Sequence, residues 1–195
     1  MGMRAVFLVG FMAAGKSRVG QELARRLDWD FVDMDARIEE RERQTIPEIF
    51  RDRGEPGFRL AESSALRDLT ESLASDAGGR GMVIALGGGA FAEMKNLELV
   101  RPWPSVFLDA PPDELWRRCL EDATERPLRN DRAEFARLHE YRLPFYRQAT
   151  MTVVTSGKDP ASLCAEIERN LQSWGSEGTG PSRIRPARSG TGESK

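Results

Sequence analysis

Short apolar runs alternate with stretches of helical periodicity along most of the chain. The apolar runs predict buried strands, and the segments with apolar residues every three or four positions predict helices. Strands are predicted at Ala5–Val9, Phe31–Val32, Met82–Leu86, Ser105–Leu108 and Met151–Val154. Helices are predicted at Lys16–Leu27, Asp35–Arg43, Pro47–Arg53, Phe58–Ser75, Pro112–Leu120, Arg132–Gln148 and Pro160–Trp174. This alternation is typical of an α/β fold with a mostly parallel sheet.

The pattern stops at Gly175. From there to Lys195 only Ile184 and Ala187 carry apolar side chains, which is too little to join a core. We therefore expect one domain over residues 1–174 and a disordered tail over residues 175–195.

Composition narrows the class of protein. The 195 residues are 39% hydrophobic and 31% charged, which is enough apolar material for the core of one globular domain. No run approaches the roughly 20 apolar residues of a membrane-spanning helix, and the apolar start is interrupted too early for a secretory signal. We expect a cytoplasmic monomer that does not bind membranes.

Charge and cysteine usage point to small-molecule partners. The 29 basic and 31 acidic residues are nearly balanced, whereas a general nucleic-acid binder needs a basic surplus. Cys119 and Cys164 lie far apart, and His139 is the one histidine. A disulfide framework or a structural zinc site is therefore not expected.

A glycine-rich segment follows the first predicted strand. Residues Gly10–Ser17 match GxxxxGK[ST] between a strand and a helix, the context in which this motif binds phosphate. Lys16 is placed to reach the β- and γ-phosphates and Ser17 to coordinate Mg²⁺, unless the segment is an ordinary glycine turn. The predicted nucleotide-binding residues of this segment are Ala13, Ala14, Gly15, Lys16, Ser17 and Arg18.

Two aspartates end the second predicted strand. In extended backbone, Asp33 and Asp35 project to the same side, at the carboxyl edge where ligands bind parallel sheets. One carboxylate could support Mg²⁺ and the other could accept a proton from a substrate hydroxyl. Alternatively, Asp35 caps the helix that follows.

Two arginines are candidates for binding an anionic ligand, and each also has a simpler explanation. Arg142 falls on the stripe of Phe135, Leu138 and Phe145, so it either snorkels, pairs with a glutamate or binds an anion. Arg59 precedes Glu62 by three positions, so a surface ion pair is the simple alternative to ligand binding.

Two further segments could reach a ligand at this edge. Gly87-Gly88-Gly89 follows the third strand and exposes backbone, although three glycines also suit a simple turn. The charge-dense segment 118–132 contains Arg126-Pro127 and is either a mobile lid that brings an arginine to the phosphate or a solvated loop.

Taken together and in this order, these motifs resemble the shikimate kinases, a branch of the nucleoside-monophosphate-kinase-like P-loop family. The resemblance covers residues 4 to about 172. The segments that carry it are Gly10–Ser17, Phe31–Glu39, Gly57–Glu62, Leu86–Ala90, Arg126–Leu128 and Arg142–Tyr146. It implies a three-layer P-loop kinase fold with a five-stranded parallel sheet in order 2-3-1-4-5 and a mobile lid.

The resemblance also implies an activity and roles for residues. ATP, with Mg²⁺, would phosphorylate the 3-hydroxyl of shikimate in the pathway to chorismate and the aromatic amino acids. Lys16, Asp35 and Arg126 would be catalytic, with Ser17 and Asp33 at the metal. Shikimate would meet Asp35, Arg59, Gly88, Gly89, Arg142, Phe50 and Phe58. The nucleotide would meet Arg118, Arg126 and a rim formed by residues 156–158 as well as the phosphate loop.

The chain departs from the family pattern near the nucleotide. Ala13 replaces a common glycine, Arg18 and Arg129 replace a threonine and an apolar residue, and the interval from Arg126 to Arg142 is short. Two other functions stay open at this point. They are a kinase for another polyhydroxy acid such as gluconate, and a catalytically silent nucleotide-binding regulator.

Overall fold

A computed structural model describes residues 4–75, 79–121 and 131–176 of the chain. Five parallel strands form one sheet in the order β2-β3-β1-β4-β5, as the sequence predicts. The strands are β1 Ala5–Val9, β2 Asp30–Asp33, β3 Met82–Ala85, β4 Ser105–Asp109 and β5 Met151–Val154.

The central strand β1 is apolar along its whole length because the sheet covers both of its edges and helices cover both of its faces. Phe7 pairs with Ile84 of β3 and Ser105 of β4 in parallel register. All five β1 residues are buried. The carboxyl end of this strand therefore opens into the loop before Lys16, at the middle of the sheet's edge.

Seven α-helices and one 3₁₀ turn connect the strands in the described part of the chain. The helices are α1 Lys16–Leu27, α2 Met34–Glu42, α3 Ile46–Ser75, α4 Met94–Val100, α5 Pro112–Glu121, α6 Arg132–Tyr146 and α7 Pro160–Ser176, and the 3₁₀ turn is Ala90–Ala92. The helix α7 continues two residues past the predicted domain boundary at residue 174.

The strand order explains how the helices are layered. The chain moves from β1 past β3 to β2, and then in the opposite direction through β3, β4 and β5. With right-handed crossovers, this reversal places α1 on one face of the sheet and α3 to α6 on the other. The contacts agree, since α1 packs against α7, α3 against α4, and α5 against α6. The result is the expected three-layer arrangement.

The long helix α3 is interrupted at Gly54, whose backbone (φ 65°, ψ −177°) is not helical. The two helices predicted over 47–53 and 58–75 are thus the two arms of one bent element. In contrast, α4 and the 3₁₀ turn were not predicted, because Met94–Val100 is short and has only a weak apolar stripe.

Two predicted segments fall at the limits of the described chain. Residues 122–130, which include Arg126 and Arg129 of the predicted lid, lie outside the described residues, as do residues 177–195 of the predicted tail. Among the helices that the structure does describe, none has the length and hydropathy needed to cross a bilayer.

Candidate active site

The phosphate loop joins β1 to α1 as predicted. Gly15 is the N-cap of α1 with a left-handed backbone (φ 91°), and it offers no side-chain cap to the first backbone N–H groups of the helix. These donors, together with the positive end of the helix dipole, face the loop opening. A phosphate can therefore take the place that a capping side chain would otherwise fill.

The loop holds an alanine in a backbone conformation that favours glycine. Ala13 adopts a left-handed backbone with φ 61°, which costs an L-residue roughly 1–2 kcal/mol. Its neighbour Ala14 is buried, whereas Arg18 is exposed on the first turn of α1. Arg18 does not line the cavity that Ala13 and Lys16 border.

Lys16 folds back over the loop. Its Nζ donates to the carbonyl oxygens of Gly10 at 2.8 Å and Phe11 at 3.0 Å. The ammonium group is consequently held at the mouth of the loop, where its charge adds to that of the helix terminus.

Asp33 and Ser17 meet beside the loop. Ser17 Oγ donates to Asp33 Oδ2 at 2.7 Å, and Asp33 Oδ1 accepts from the backbone N–H of Asp35 at 3.0 Å. Asp33 is therefore the N-cap of α2. The suggestion that Asp35 caps this helix is wrong, because α2 begins at Met34 and Asp35 already lies in its first turn.

Asp35 reaches the site by a different geometry from the one predicted. It does not project from extended backbone alongside Asp33, because the chain turns into α2 directly after the strand. Both carboxylates still line one cavity of about 240 Å³. The cavity is bounded by Ala13, Gly15, Lys16, Ser17, Asp33, Asp35, Ala85, Leu86 and Arg118.

A cleft formed by Arg59, Arg142 and the triple glycine at residues 87–89 adjoins this cavity at Asp35. Arg59 lies there in a largely buried ion pair. Its Nη1 donates to Glu62 Oε2 at 2.7 Å, with side chains exposed by only 16% and 2% respectively, and it also contacts the exposed Glu55. The surface ion pair considered from spacing is therefore wrong. Glu62 Oε1 has no hydrogen-bond partner within the described structure. Burial raises the pKa of Glu62, against the lowering effect of Arg59.

The triple glycine is where these side chains converge. A Cβ at Gly87 would lie 2.7 Å from Asp35 Oδ1 and 3.0 Å from Glu62 Oε1. A Cβ at Gly89 would lie 2.6 Å from both terminal nitrogens of Arg59. Only residues without a side chain allow this approach. The segment is also a turn, since Gly87 and Gly89 accept hydrogen bonds from Ala90 and Ala92.

Arg142 reaches the same cleft from α6. Its terminal nitrogen Nη1 would lie 3.6 Å from a Cβ at Gly88, and its guanidinium lies 5.9 Å from the centre of the Phe11 ring. The buried stripe of α6 consists of Phe135, His139 and Tyr146. The sequence predicts a stripe that ends on Phe145, but Phe145 is only half-buried and Tyr146 takes the buried position.

Two predicted aromatic residues lie on the arms of α3. Phe50 is partly exposed, Phe58 is buried, and their ring centres are 4.8 Å apart. The guanidinium of Arg59 lies 5.1 Å from the Phe58 ring centre. The two residues thus come before and after the helix break at Gly54, and Phe58 contacts the arginine.

On the other side of the phosphate loop, Arg118 is held by Glu114. Arg118 Nη2 donates to Glu114 Oε1 at 2.6 Å, and Nη1 donates to Thr155 Oγ1 at 3.2 Å. Ser156 Oγ donates to the other oxygen of Glu114 at 2.5 Å, which lowers the pKa of Glu114 together with the charge of Arg118. Sequence reasoning missed Glu114, whose i, i+4 spacing to Arg118 was its only signal.

This fold and this loop define a P-loop phosphotransferase. A family model for shikimate kinase matches residues 12–172. A shikimate kinase of Persephonella marina is 38% identical over 167 residues, which cover 85% of this chain and 97% of that protein. The chain belongs to the shikimate kinase family.

Solved structures agree with this assignment. A shikimate kinase from Acinetobacter baumannii in complex with shikimate shares 33% identity at a TM-score of 0.78, covering 88% of this chain and 94% of that one. A gluconokinase from Sinorhizobium meliloti has 18% identity and a TM-score of 0.56, with coverage of 89% and 94%. The second likeness shows a common fold alone.

Proposed function

We propose that the protein transfers the γ-phosphoryl group of ATP to the 3-hydroxyl of shikimate, giving shikimate 3-phosphate and ADP. The observation that carries this proposal is the convergence of Asp35, Arg59 and Arg142 on the triple glycine, directly beside a phosphate loop. A carboxylate that could accept a proton, two arginines suited to an acid group and a phosphate loop thus lie next to one another in a member of this family.

The acceptor end would recognise the acid group. Arg59 and Arg142 each carry a planar guanidinium, and such a group matches a carboxylate with two parallel hydrogen bonds. The backbone of Gly88 and Gly89 would complete the contact, with Phe50 and Phe58 against the ring. Glu62 holds Arg59 through Nη1, whereas Nε and Nη2 of Arg59 pair with Glu55, an exposed side chain that a substrate carboxylate would replace.

The reacting end would use Asp35 and Lys16. The 3-oxygen of shikimate attacks the γ-phosphorus, its proton passes to the Asp35 carboxylate, and the bond from the γ-phosphorus to the bridging oxygen of ADP breaks. Lys16, which already lies at the loop mouth, would stabilise the negative charge on the phosphoryl group as it is transferred. Arg126, outside the described residues, would add a second positive charge.

Ser17 and Asp33 fit a magnesium ion. A hydroxyl and a carboxylate 2.7 Å apart beside a phosphate site are the hard oxygen donors that Mg²⁺ takes, together with water and phosphate oxygens. These two residues would hold the ion, with Asp33 acting through water. Its chemistry is to neutralise charge on the β- and γ-phosphates.

The nucleotide base would lie beyond the loop. Arg118 borders the cavity that contains Lys16 and Ser17, and Ser156 is tied to the same Glu114. Arg118 and residues 156–158 would therefore form two sides of the adenine site. The near balance of basic and acidic residues supports small-molecule substrates over nucleic acid, and we propose that the enzyme works as a cytoplasmic monomer.

A substrate panel tests the proposal. ADP release is measured with ATP, Mg²⁺ and, in turn, shikimate, gluconate and AMP, with Lys16→Ala as the control for contaminating kinases. We expect turnover with shikimate that the control lacks. Preferential turnover of gluconate would support the other polyhydroxy acid, and ATP binding without turnover of any acceptor would support a silent regulator.

A further inference from the structure

Tyr146 contacts the triple glycine and has no role in the reaction as described so far. It ends α6, its side chain is fully buried, and its ring stacks on Phe107 of β4 with centres 5.3 Å apart. A buried tyrosine needs a partner for its hydroxyl. The partner here is the backbone carbonyl of Gly88, to which the hydroxyl donates.

Arg142 lies against the same glycine, since its Nη1 would be 3.6 Å from a Cβ at Gly88. Burial raises the pKa of Tyr146, and the charge and hydrogen bonding of Arg142 oppose that rise, with a smaller contribution from Arg59. The Tyr146 hydroxyl and the Arg142 guanidinium, which are four positions apart on α6, therefore both meet Gly88. A ring fixed against the central sheet gives the hydroxyl a rigid position.

We propose that Tyr146 is a positioning residue for the acid subsite: its hydroxyl holds the Gly88 carbonyl, and so fixes the peptide whose N–H belongs to Gly89, and it keeps the Arg142 guanidinium in the orientation that receives the substrate carboxylate. This inference rests on the proposed function, because it takes that peptide and Arg142 as the groups that meet the acid. It assigns Tyr146 no contact with substrate.

The geometry makes a selective prediction. Tyr146→Phe keeps the ring and its stacking on Phe107 and removes one oxygen, so the Gly88 carbonyl loses its donor and the turn before Ala90 gains freedom. If the acid subsite has to become ordered when shikimate binds, the entropy lost in that ordering lowers the affinity for shikimate. The site for ATP, formed by other elements, should be unaffected.

The chain offers a matched control in Tyr141, which lies on the same helix with 65% of its surface exposed. Initial rates of the full-length wild type, Tyr146→Phe and Tyr141→Phe are measured as functions of shikimate and of ATP. For Tyr146→Phe we expect the KM for shikimate to rise about 5- to 20-fold, the loss expected for one buried hydrogen bond. The KM for ATP and both constants of Tyr141→Phe should stay within about twofold of wild type.

The outcomes separate the two proposals. If the wild type does not phosphorylate shikimate, the proposed function fails and this inference falls with it. If the wild type is active and Tyr146→Phe behaves like Tyr141→Phe, or raises both KM values equally, the positioning role alone is overturned.

A second measurement covers the case in which Tyr146→Phe does not fold. In Tyr141→Phe, 3-fluorotyrosine incorporation labels Tyr146 alone, and fluorine NMR follows it during titration. We expect its resonance to move with shikimate and to move less with ADP. If the chemical shift of this resonance does not change at saturating shikimate, the inference is overturned.

Discussion

Replacing Arg59 by methionine should destabilise the fold, because it leaves Glu62 buried without its cation. The Arg59–Glu62 contact is 2.7 Å long and the Glu62 side chain is 2% exposed, so solvent cannot replace the lost charge. Removing one partner of a buried pair costs about 3–5 kcal/mol. We expect about 3 kcal/mol near neutral pH, the lower end, because Arg142 remains close and Glu62 can take up a proton.

The pH dependence follows from the sign of the pKa shift. Burial already raises the pKa of Glu62 above its ordinary value, and without Arg59 the pKa rises further. A carboxyl with a raised folded-state pKa contributes full stability below its unfolded pKa and loses it as the pH rises through the folded value. The destabilisation of Arg59→Met should therefore be smaller at pH 5 than at pH 8.

Urea unfolding at both pH values, followed by the fluorescence of the four tryptophans, measures the free energy of unfolding. The control is Arg51→Met on the same helix, since the Arg51–Asp52 pair has side chains 68% and 40% exposed and should contribute less than about 1 kcal/mol. Adding Glu62→Gln to Arg59→Met should recover part of the loss and remove the pH dependence. A loss in Arg59→Met no larger than that in Arg51→Met, at both pH values, would refute the reasoning.

Three further substitutions test the reacting and nucleotide ends of the site by initial-rate kinetics, with circular dichroism to confirm folding. Lys16→Ala should lower kcat by about 100-fold or more, since it removes a positive charge from the transferring phosphoryl group, and activity near wild type would contradict its assignment. Asp35→Asn should lower kcat by about 100-fold or more without disturbing α2, because Asp33 is the cap, and nearly unchanged turnover would mean that the carboxylate is not the base. Glu114→Gln should raise the KM for ATP several-fold and leave the KM for shikimate unchanged, because the ion pair that holds Arg118 is weakened, and the reverse pattern would place Arg118 elsewhere.

The sheet and the phosphate loop could be predicted because their signals are local. Ala5–Val9 is apolar without interruption, and Gly15-Lys16-Ser17 has to follow it for the loop to form. The resemblance then implied the strand order, which the structure confirms. In contrast, α4 has too few residues for its periodicity to be distinctive.

The site shows the same division between local and distant effects. The spacing of Arg59 and Glu62 indicated a pair, but whether that pair is exposed depends on the packing of α3 against the glycine turn. Likewise, the residue at which the backbone leaves the strand and enters the helix decides whether Asp33 or Asp35 caps α2. The partner of the Tyr146 hydroxyl is 58 positions away, so no spacing rule could have indicated it.

Discrimination between shikimate and its neutral carboxamide tests the central claim most directly. The measurement is the ratio of kcat/KM for the two acceptors, made on the wild type and on Arg142→Lys. In the wild type we predict a ratio of at least about 100, because an arginine left without its anion in a largely buried cleft is costly. In Arg142→Lys the ratio should fall, because lysine lacks the planar fork. A ratio near one in the wild type would contradict the account, because the substrate carboxylate would then lie away from Arg59 and Arg142.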